Sequence, residues 1–358
     1  MKSLVQATIA IIVVCALLFV AVNSLESAGS KGSKDTITVY NWGEYIDPEL
    51  IDRFTEETGI KVIYETFDSN EAMMTKISQG GSAYDIAVPS EYAIEMMLED
   101  NLLVELDHSL IPNLKNIDPY FLDKPFDPGN KYSIPYFWGT VGIVYNPNYV
   151  KDGLTFETWE DLWDPSLKDK VFLVDGSREV IGMGLNSLGY SLNEKDDEKL
   201  LEATNKLKEL TPNIKAIIGD EITPLMVNNE ANVALTFSGQ AADMMWENED
   251  LEFAVPKEGS NLWFDNMVIP KTASNIEGAH AFINFMLDAE VGAQNTDYVG
   301  YSSPNAASWD LLDEEVVADE RFYPGEEIRE NLEVYENLGL HWLGKYNELF
   351  LEFKMGMN

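Results

Sequence analysis

The chain has 358 residues, with 62 acidic side chains against 24 basic ones and a formal net charge of −38. That balance excludes nucleic acid as a partner, because neutralising phosphates needs clustered Lys and Arg, and it favours cationic ligands, whose attraction salt screens beyond roughly 8–10 Å. With 45% hydrophobic, 11% aromatic and 24% charged residues the chain is globular and long enough for two cores, and its single cysteine, Cys15, excludes a disulfide scaffold.

Lys2 precedes a nearly unbroken apolar run from Leu4 to Val22, interrupted only by Gln6 and Thr8. About 20 apolar residues span a bilayer, and a positive flank stays on the cytoplasmic side. No clear small-residue cleavage site is present, and Cys15 follows bulky Val13-Val14, a poor context for lipidation. Residues 1–26 are expected to be a membrane anchor, with cleavage as a signal near Ala21 or Ala28 the alternative. Residues 27–35 read as a flexible linker, and everything beyond faces outward.

The folded part opens with a β-rich stretch, Thr36 to Tyr40. Asp47-Pro48 predicts a helix start, Leu50, Ile51 and Phe54 its buried stripe, and Gly59 its end. Lys61 to Phe67 predicts a strand. Asn70-Glu71 opens a helix carrying Met73, Met74 and Ile77, closed by Gly80-Gly81. Asp85 to Val88 is a third strand, and Pro89-Ser90 starts a helix running through Leu98. This βαβαβ order predicts a parallel sheet flanked by helices. A second unit of the same kind starts near Gly142. Its strands are Val171 to Val174, Val233 to Phe237, Phe253 to Val255 and Leu262 to Ile269. Its helices are Arg178 to Leu188, Leu200 to Leu210 and Gly239 to Trp246, and an amphipathic helix follows from Ile276 to Leu287. Two α/β units in tandem suggest two lobes with a cleft between them.

Open α/β sheets bind ligands outside the carboxyl ends of their strands. Those positions hold Trp42, Glu44 and Tyr45 after the first strand and Ser90 and Tyr92 after the third. Asp175 and Glu179 follow Val174, Gln240 follows Phe237, Trp263 and Asp265 open a late strand, and Tyr301 follows a helix. Aromatics and carboxylates thus share the rims, while Lys and Arg are nearly absent, Arg178 excepted. This suits a flexible polycation. Carboxylates give each buried ammonium its acceptors and counter-charge, ring faces attract cations, and burial contributes about 0.8 kcal/mol per methylene. Each residue also has a purely structural reading. Trp42, Tyr45 and Trp263 can be core aromatics, and Glu44, Asp175 and Glu179 helix-start acids. Ser90 can be an N-cap, Asp265 a turn former and Tyr301 a surface aromatic.

Enzyme signatures are missing. His108, His280 and His341 are scattered, with no HExxH or metal-ligand spacing, and no G-x-S-x-G occurs. Paired carboxylates beside tryptophans leave a glycoside hydrolase as the rival from another class.

From about Ile37 onward the chain resembles the spermidine/putrescine-binding proteins of polyamine ABC transporters. The resemblance rests on Tyr40-Asn41-Trp42-Gly43-Glu44-Tyr45-Ile46, Glu56-Glu57-Thr58-Gly59-Ile60-Lys61-Val62 and Asp85-Ile86-Ala87-Val88-Pro89-Ser90. It continues through Ser133 to Gly139, Arg178-Glu179-Val180, Trp263-Phe264-Asp265 and Gly300 to Asn305. It implies a two-lobed, type II-like periplasmic-binding-protein fold with mixed, mostly parallel sheets, closing around its ligand. The chain would cross between lobes near Trp138–Gly142 and Phe264–Ile269, giving lobe 1 as 36–141 plus 268–312 and lobe 2 as 142–267 plus 313–358.

By that resemblance, Trp42, Tyr45, Phe237 and Trp263 line the methylene path. Asp265 pairs with an inner amine and Glu179 with a terminal one, and Glu44, Ser90, Tyr92 and Tyr301 complete the polar shell. Gly176 stands where relatives often carry aspartate, with Asp175 adjacent as a substitute. Phe237 replaces a common Trp, Gln240 a side chain that is acidic in some relatives, and Leu351 a ligand-holding glutamine. The expected partners are a polyamine and a transmembrane permease, for a monomer that needs no cofactor or metal. Thiamine or ferric iron are the alternative cations.

Overall fold

The computed structural model describes residues 35–219 and 221–357. The expected N-terminal anchor or signal lies outside the described residues. Among those described, no helix is long and apolar enough to cross a membrane.

Local chemistry sets the first elements. β1 (Thr36–Trp42) and β2 (Lys61–Phe67) pair in parallel along their whole length. Between them α1 (Pro48–Thr58) starts where Asp47 accepts the Glu49 N–H, and it ends at Gly59. α2 (Asn70–Ser78) is capped by the Ser69 hydroxyl, one residue before the expected start, which leaves the Asn70 amide for another use. β3 (Ile86–Ala87) and α3 (Glu91–Glu99) follow.

β4 (Ser133–Tyr145) is buried along all 13 of its residues. No part of it has a counterpart among the predicted strands. A strand covered on both faces shows no alternation, and Pro135 argues against a strand interior; here it sits at a register shift between Pro135 and Phe137. The second run comprises β5 (Val171–Val174), α4 (Ser177–Asn186), α5 (Asp197–Leu210), β6 (Ile214–Ile218), α6 (Ile222–Val227), β7 (Val233–Phe237), α7 (Ser238–Glu247), β8 (Glu252–Ala254) and β9 (Ser260–Val268). The chain continues with α8 (Ile276–Met286), α9 (Ala289–Val299), the one-turn helices α10 (Ala306–Trp309), α11 (Glu314–Val317) and α12 (Glu326–Arg329), then β10 (Leu332–Glu333) and α13 (Gly339–Gly356). β6 and α13 escape the sequence reading. Only Ile214 of β6 is buried, and α13 exposes Leu340 and Met355, which blurs its apolar stripe.

The strands form one mixed sheet in the order β2-β1-β3-β9-β4-β7-β5-β6, with β8 beside β4 and β10 beside β9. β4 runs antiparallel to β9 over Ser133–Thr140, then antiparallel to β7 over Val141–Tyr145. β1 and β3 run with β4, whereas β5 and β7 run against it. The register sets the end of β3 level with Ser133 and the end of β7 level with Val141. The carboxyl ends of the two strand groups therefore face each other across Tyr136–Thr140 of β4 and Leu262–Asn266 of β9.

The interiors divide at the same level. One core draws on side chains between Ile37 and Trp138 and between Leu262 and Val291. A second runs from Val141 to Leu235 and takes in Tyr346, Leu349, Phe350 and Phe353 of α13. A smaller one with Phe172, Met226, Met244 and Phe253 covers the other face of that half of the sheet. Each fully buried Leu or Phe contributes about 1.5–3 kcal/mol. Where β4 passes from one core to the next, a Cβ on Gly139 would lie 2.4 Å from both Trp263 and the Ser238 hydroxyl, so no side chain fits there.

Candidate functional site

Alternation along β9 puts Trp263 and Asp265 on one face, and Leu262 and Phe264 on the other. Phe264 packs into the first core against Phe121 and Phe126. Asp265 is 7% exposed and is held from two sides. One oxygen accepts the Tyr45 hydroxyl at 2.7 Å, the other the Ser90 hydroxyl at 2.7 Å. Burial nevertheless pushes Asp265 up to about 6, with both hydroxyls opposing it. The Tyr45 hydroxyl is held well above the usual phenol range by burial and then by the Asp265 charge.

Ser90 occupies the N-cap position of α3, yet its hydroxyl makes no capping bond. The Asn70 amide explains its direction. Asn70 Nδ2 donates to Ser90 Oγ at 3.1 Å and to the Tyr92 hydroxyl at 3.0 Å, while Asn70 Oδ1 accepts the Ser90 N–H at 3.1 Å. With an acceptor lobe of Ser90 Oγ so occupied, its proton goes to Asp265.

Rings surround this carboxylate. The Tyr45 ring meets Tyr136, Phe137 and Tyr301 at 5.7, 5.2 and 5.3 Å between centroids, and Tyr301 meets Trp263 at 5.7 Å. Tyr136 donates its hydroxyl to the Tyr45 carbonyl at 2.7 Å and fixes that loop. Trp42 packs on Phe67 at 4.5 Å, and its buried indole N–H has no partner. Helix α7 approaches so closely that a Cβ on Gly239 would lie 2.0 Å from the Tyr301 ring, which ties the second half of the sheet to the first. Phe237 is half-buried at the end of β7, and Gln240 accepts the Thr236 hydroxyl at 2.6 Å.

The acids separate into two kinds. Glu179, half-buried in the first turn of α4, is raised by burial, against its own backbone N–H, the Arg178 guanidinium and the Tyr335 hydroxyl. Arg178 stacks over Tyr335 at 4.2 Å and donates to Asn193 at 2.8 Å. Glu44 is exposed, and its charge contributes to the rise of Asp243 on α7 to about 6, after burial and Glu247. Asp175 is not brought to the others. It turns outward to Lys354 of α13 at 2.8 Å, an exposed ion pair of the kind that contributes about 0–1 kcal/mol. Leu351 is also elsewhere, 56% exposed on α13; Tyr335 is the C-terminal residue that meets Glu179.

Sequence reading missed Asn70, Glu91, Asp243 and Tyr335. Glu91 and Asn70 stood at helix starts, where an acid or an amide needs no further reason, and Tyr335 lies in a segment without periodic pattern. Among the described residues, no group of three or more His, Cys, Asp or Glu could hold a metal ion. A carboxylate with both oxygens already anchored keeps lone pairs for an incoming N–H donor. Ring faces beside it suit a cation with an apolar body.

Comparison with known proteins places this chain in a family. Residues 49–323 match the family described as bacterial extracellular solute-binding protein. The spermidine/putrescine-binding periplasmic protein of Escherichia coli K12 is 39% identical over 331 residues, 92% of this chain and 94% of that one. The putrescine-binding periplasmic protein PotF of the same organism is 34% identical, covering 88% and 89%. The crystal structure of the spermidine/putrescine ABC transporter substrate-binding protein PotD from Streptococcus pneumoniae superposes with a TM-score of 0.87 at 57% identity, over 90% of this chain and 100% of that one. With this mixed sheet, its flanking helices and these relatives, the chain has the periplasmic-binding-protein fold and belongs to the bacterial extracellular solute-binding proteins, not to an enzyme family.

Proposed function

We propose that this protein captures a polyamine of the spermidine or putrescine class outside the membrane and delivers it to the permease of an ABC importer. The observation that carries this reading is the Asp265 carboxylate, buried and anchored by Tyr45 and Ser90 among the rings of Tyr45, Tyr301 and Trp263. It lies where carboxyl ends of strands from both halves of the sheet meet. In this reading Asp265 takes an inner amine and Glu179 a terminal one, while Trp42, Phe237 and Trp263 flank the methylenes. Glu44, Tyr92 and Gln240 complete the rim.

In this reading residues 36–141 with 268–312 form one lobe and 142–267 with 313–358 the other, of type II-like topology, although Leu262, Phe264 and Met267 of β9 pack in the first core. The lobes close on the ligand because contacts from both exist only in the closed form. The apolar run Leu4 to Val22 attaches the monomer to the membrane. Support for polyamine over thiamine or ferric iron comes from relatives whose names specify spermidine and putrescine, and from the pairing of carboxylates with rings rather than with further metal ligands.

Calorimetric titration with spermidine, putrescine, spermine, thiamine and ferric citrate tests it. Tight binding confined to the polyamines is expected. Saturable binding of thiamine or iron without any polyamine heat removes the reading.

A further inference from the structure

The geometry points to Glu91 as a positioning residue that sets the charge of the ligand site, holding β9 beside Asp265 and giving up its proton when a cation binds there. This rests on the polyamine reading of the site. Glu91 is 1% exposed, in the first turn of α3 and directly after Ser90. Its Oε2 accepts the backbone N–H of Phe264 at 3.0 Å. That bond pins β9 between Trp263 and Asp265, the two residues that face the site, so Glu91 reaches the ligand through them.

The charged and titratable groups around it are few. Asp265 comes from β9, Arg178 from α4, and the hydroxyls of Tyr92 and Tyr335 from its own helix and the segment after β10, with the Glu179 charge of α4 acting on both hydroxyls. Burial first, with the Asp265 charge adding to it, pushes Glu91 up to about 8, against the Phe264 N–H, its own backbone N–H and Arg178. The sign of the coupling follows. A cation that neutralises Asp265 removes the repulsion and replaces it with attraction, so ionised Glu91 is favoured in the complex and a proton leaves. Near neutral pH the empty protein holds Glu91 mostly protonated, which moderates the charge of two neighbouring buried carboxyls.

The test is calorimetry of the full-length protein with spermidine at pH 7.5, in buffers of different ionisation enthalpy, for wild type and Glu91→Gln. The amide keeps an acceptor for the Phe264 N–H and loses only the titration, and ionisation of the ligand itself is common to both proteins and cancels. Wild type should release more protons than the variant, by roughly half a proton or more per ligand. The affinity gap should widen from nearly none at pH 6.5 to about tenfold at pH 8.5. Equal proton release, or a gap independent of pH, overturns the inference. Should the variant fail to fold, the wild-type series decides: release must show a maximum between about pH 7 and 8, apart from the Asp265 release that fades above pH 6, and the absence of that maximum overturns it. Absence of spermidine binding by wild type sinks the polyamine reading instead.

Discussion

Replacing Asp265 with asparagine should move binding and stability in opposite directions. Asparagine keeps the shape and one acceptor: its amide oxygen still accepts one of the Tyr45 and Ser90 hydroxyls, and the other hydroxyl turns to accept from the NH2. The ligand amine, however, loses its counter-charge in a site where Asp265 is 7% exposed. Removing one member of a buried charge pair costs about 2–5 kcal/mol. For a shape-conserving change we take about 3 kcal/mol, a Kd weaker by roughly 100-fold. The empty protein behaves differently. Burial raises Asp265 from 3.8 to about 6, so its contribution to stability is fully present below pH 3.8 and lost as pH rises through about 6. At pH 7.5 the ionised carboxylate costs up to about 3 kcal/mol, which the neutral amide does not. The assays are calorimetric titration with spermidine and thermal unfolding of the ligand-free protein at pH 7.5. A folded variant that binds as tightly as wild type refutes the assignment of Asp265. A ligand-free variant that unfolds earlier than wild type refutes the electrostatic account.

The same carboxylate predicts a pH profile: below about pH 6 binding must first expel its proton, so affinity should fall up to tenfold per pH unit, as titrations from pH 7 to pH 4.5 would report. Gly239→Ala should displace the Tyr301 ring, since a Cβ there lies 2.0 Å from it, and should weaken binding at least tenfold with a near-native melting temperature. Asp127→Ala is the converse control. Asp127 is 2% exposed and accepts from the N–H groups of Lys131, Tyr132 and Ser133 and from the Ser133 hydroxyl, so its loss should destabilise by about 2–4 kcal/mol in denaturant unfolding and leave Kd unchanged.

What could be read from residues alone was whatever depends on near neighbours in the chain. Asp47-Pro48 and Gly59 mark helix ends through bonds that span a few residues, and period-2 or 3.6 patterns mark elements half in contact with water. The rule that strand ends bind ligands then singled out Trp42, Tyr45 and Ser90 among the residues to watch, and an expected crossing between lobes added Trp263 and Asp265, which the structure places mid-strand in β9. Their ordered blocks also carried the family.

Tertiary structure alone decided what distant segments do to one another. β4 lacks alternation because both its faces are covered, a fact that lies in its partners and not in its own residues. Asp175 and Glu179 look alike at a helix start, but Lys354, far along the chain, draws one outward while burial beside Tyr335 keeps the other in. Ser90 reads equally as cap and as ligand-shell residue until Asn70 occupies its oxygen and Asp265 takes its proton. Glu91 reads as an ordinary helix-start acid until β9, returning many residues later, gives its buried carboxyl the Phe264 N–H. Desolvation and cross-chain hydrogen bonds are properties of packing, and no local pattern encodes them.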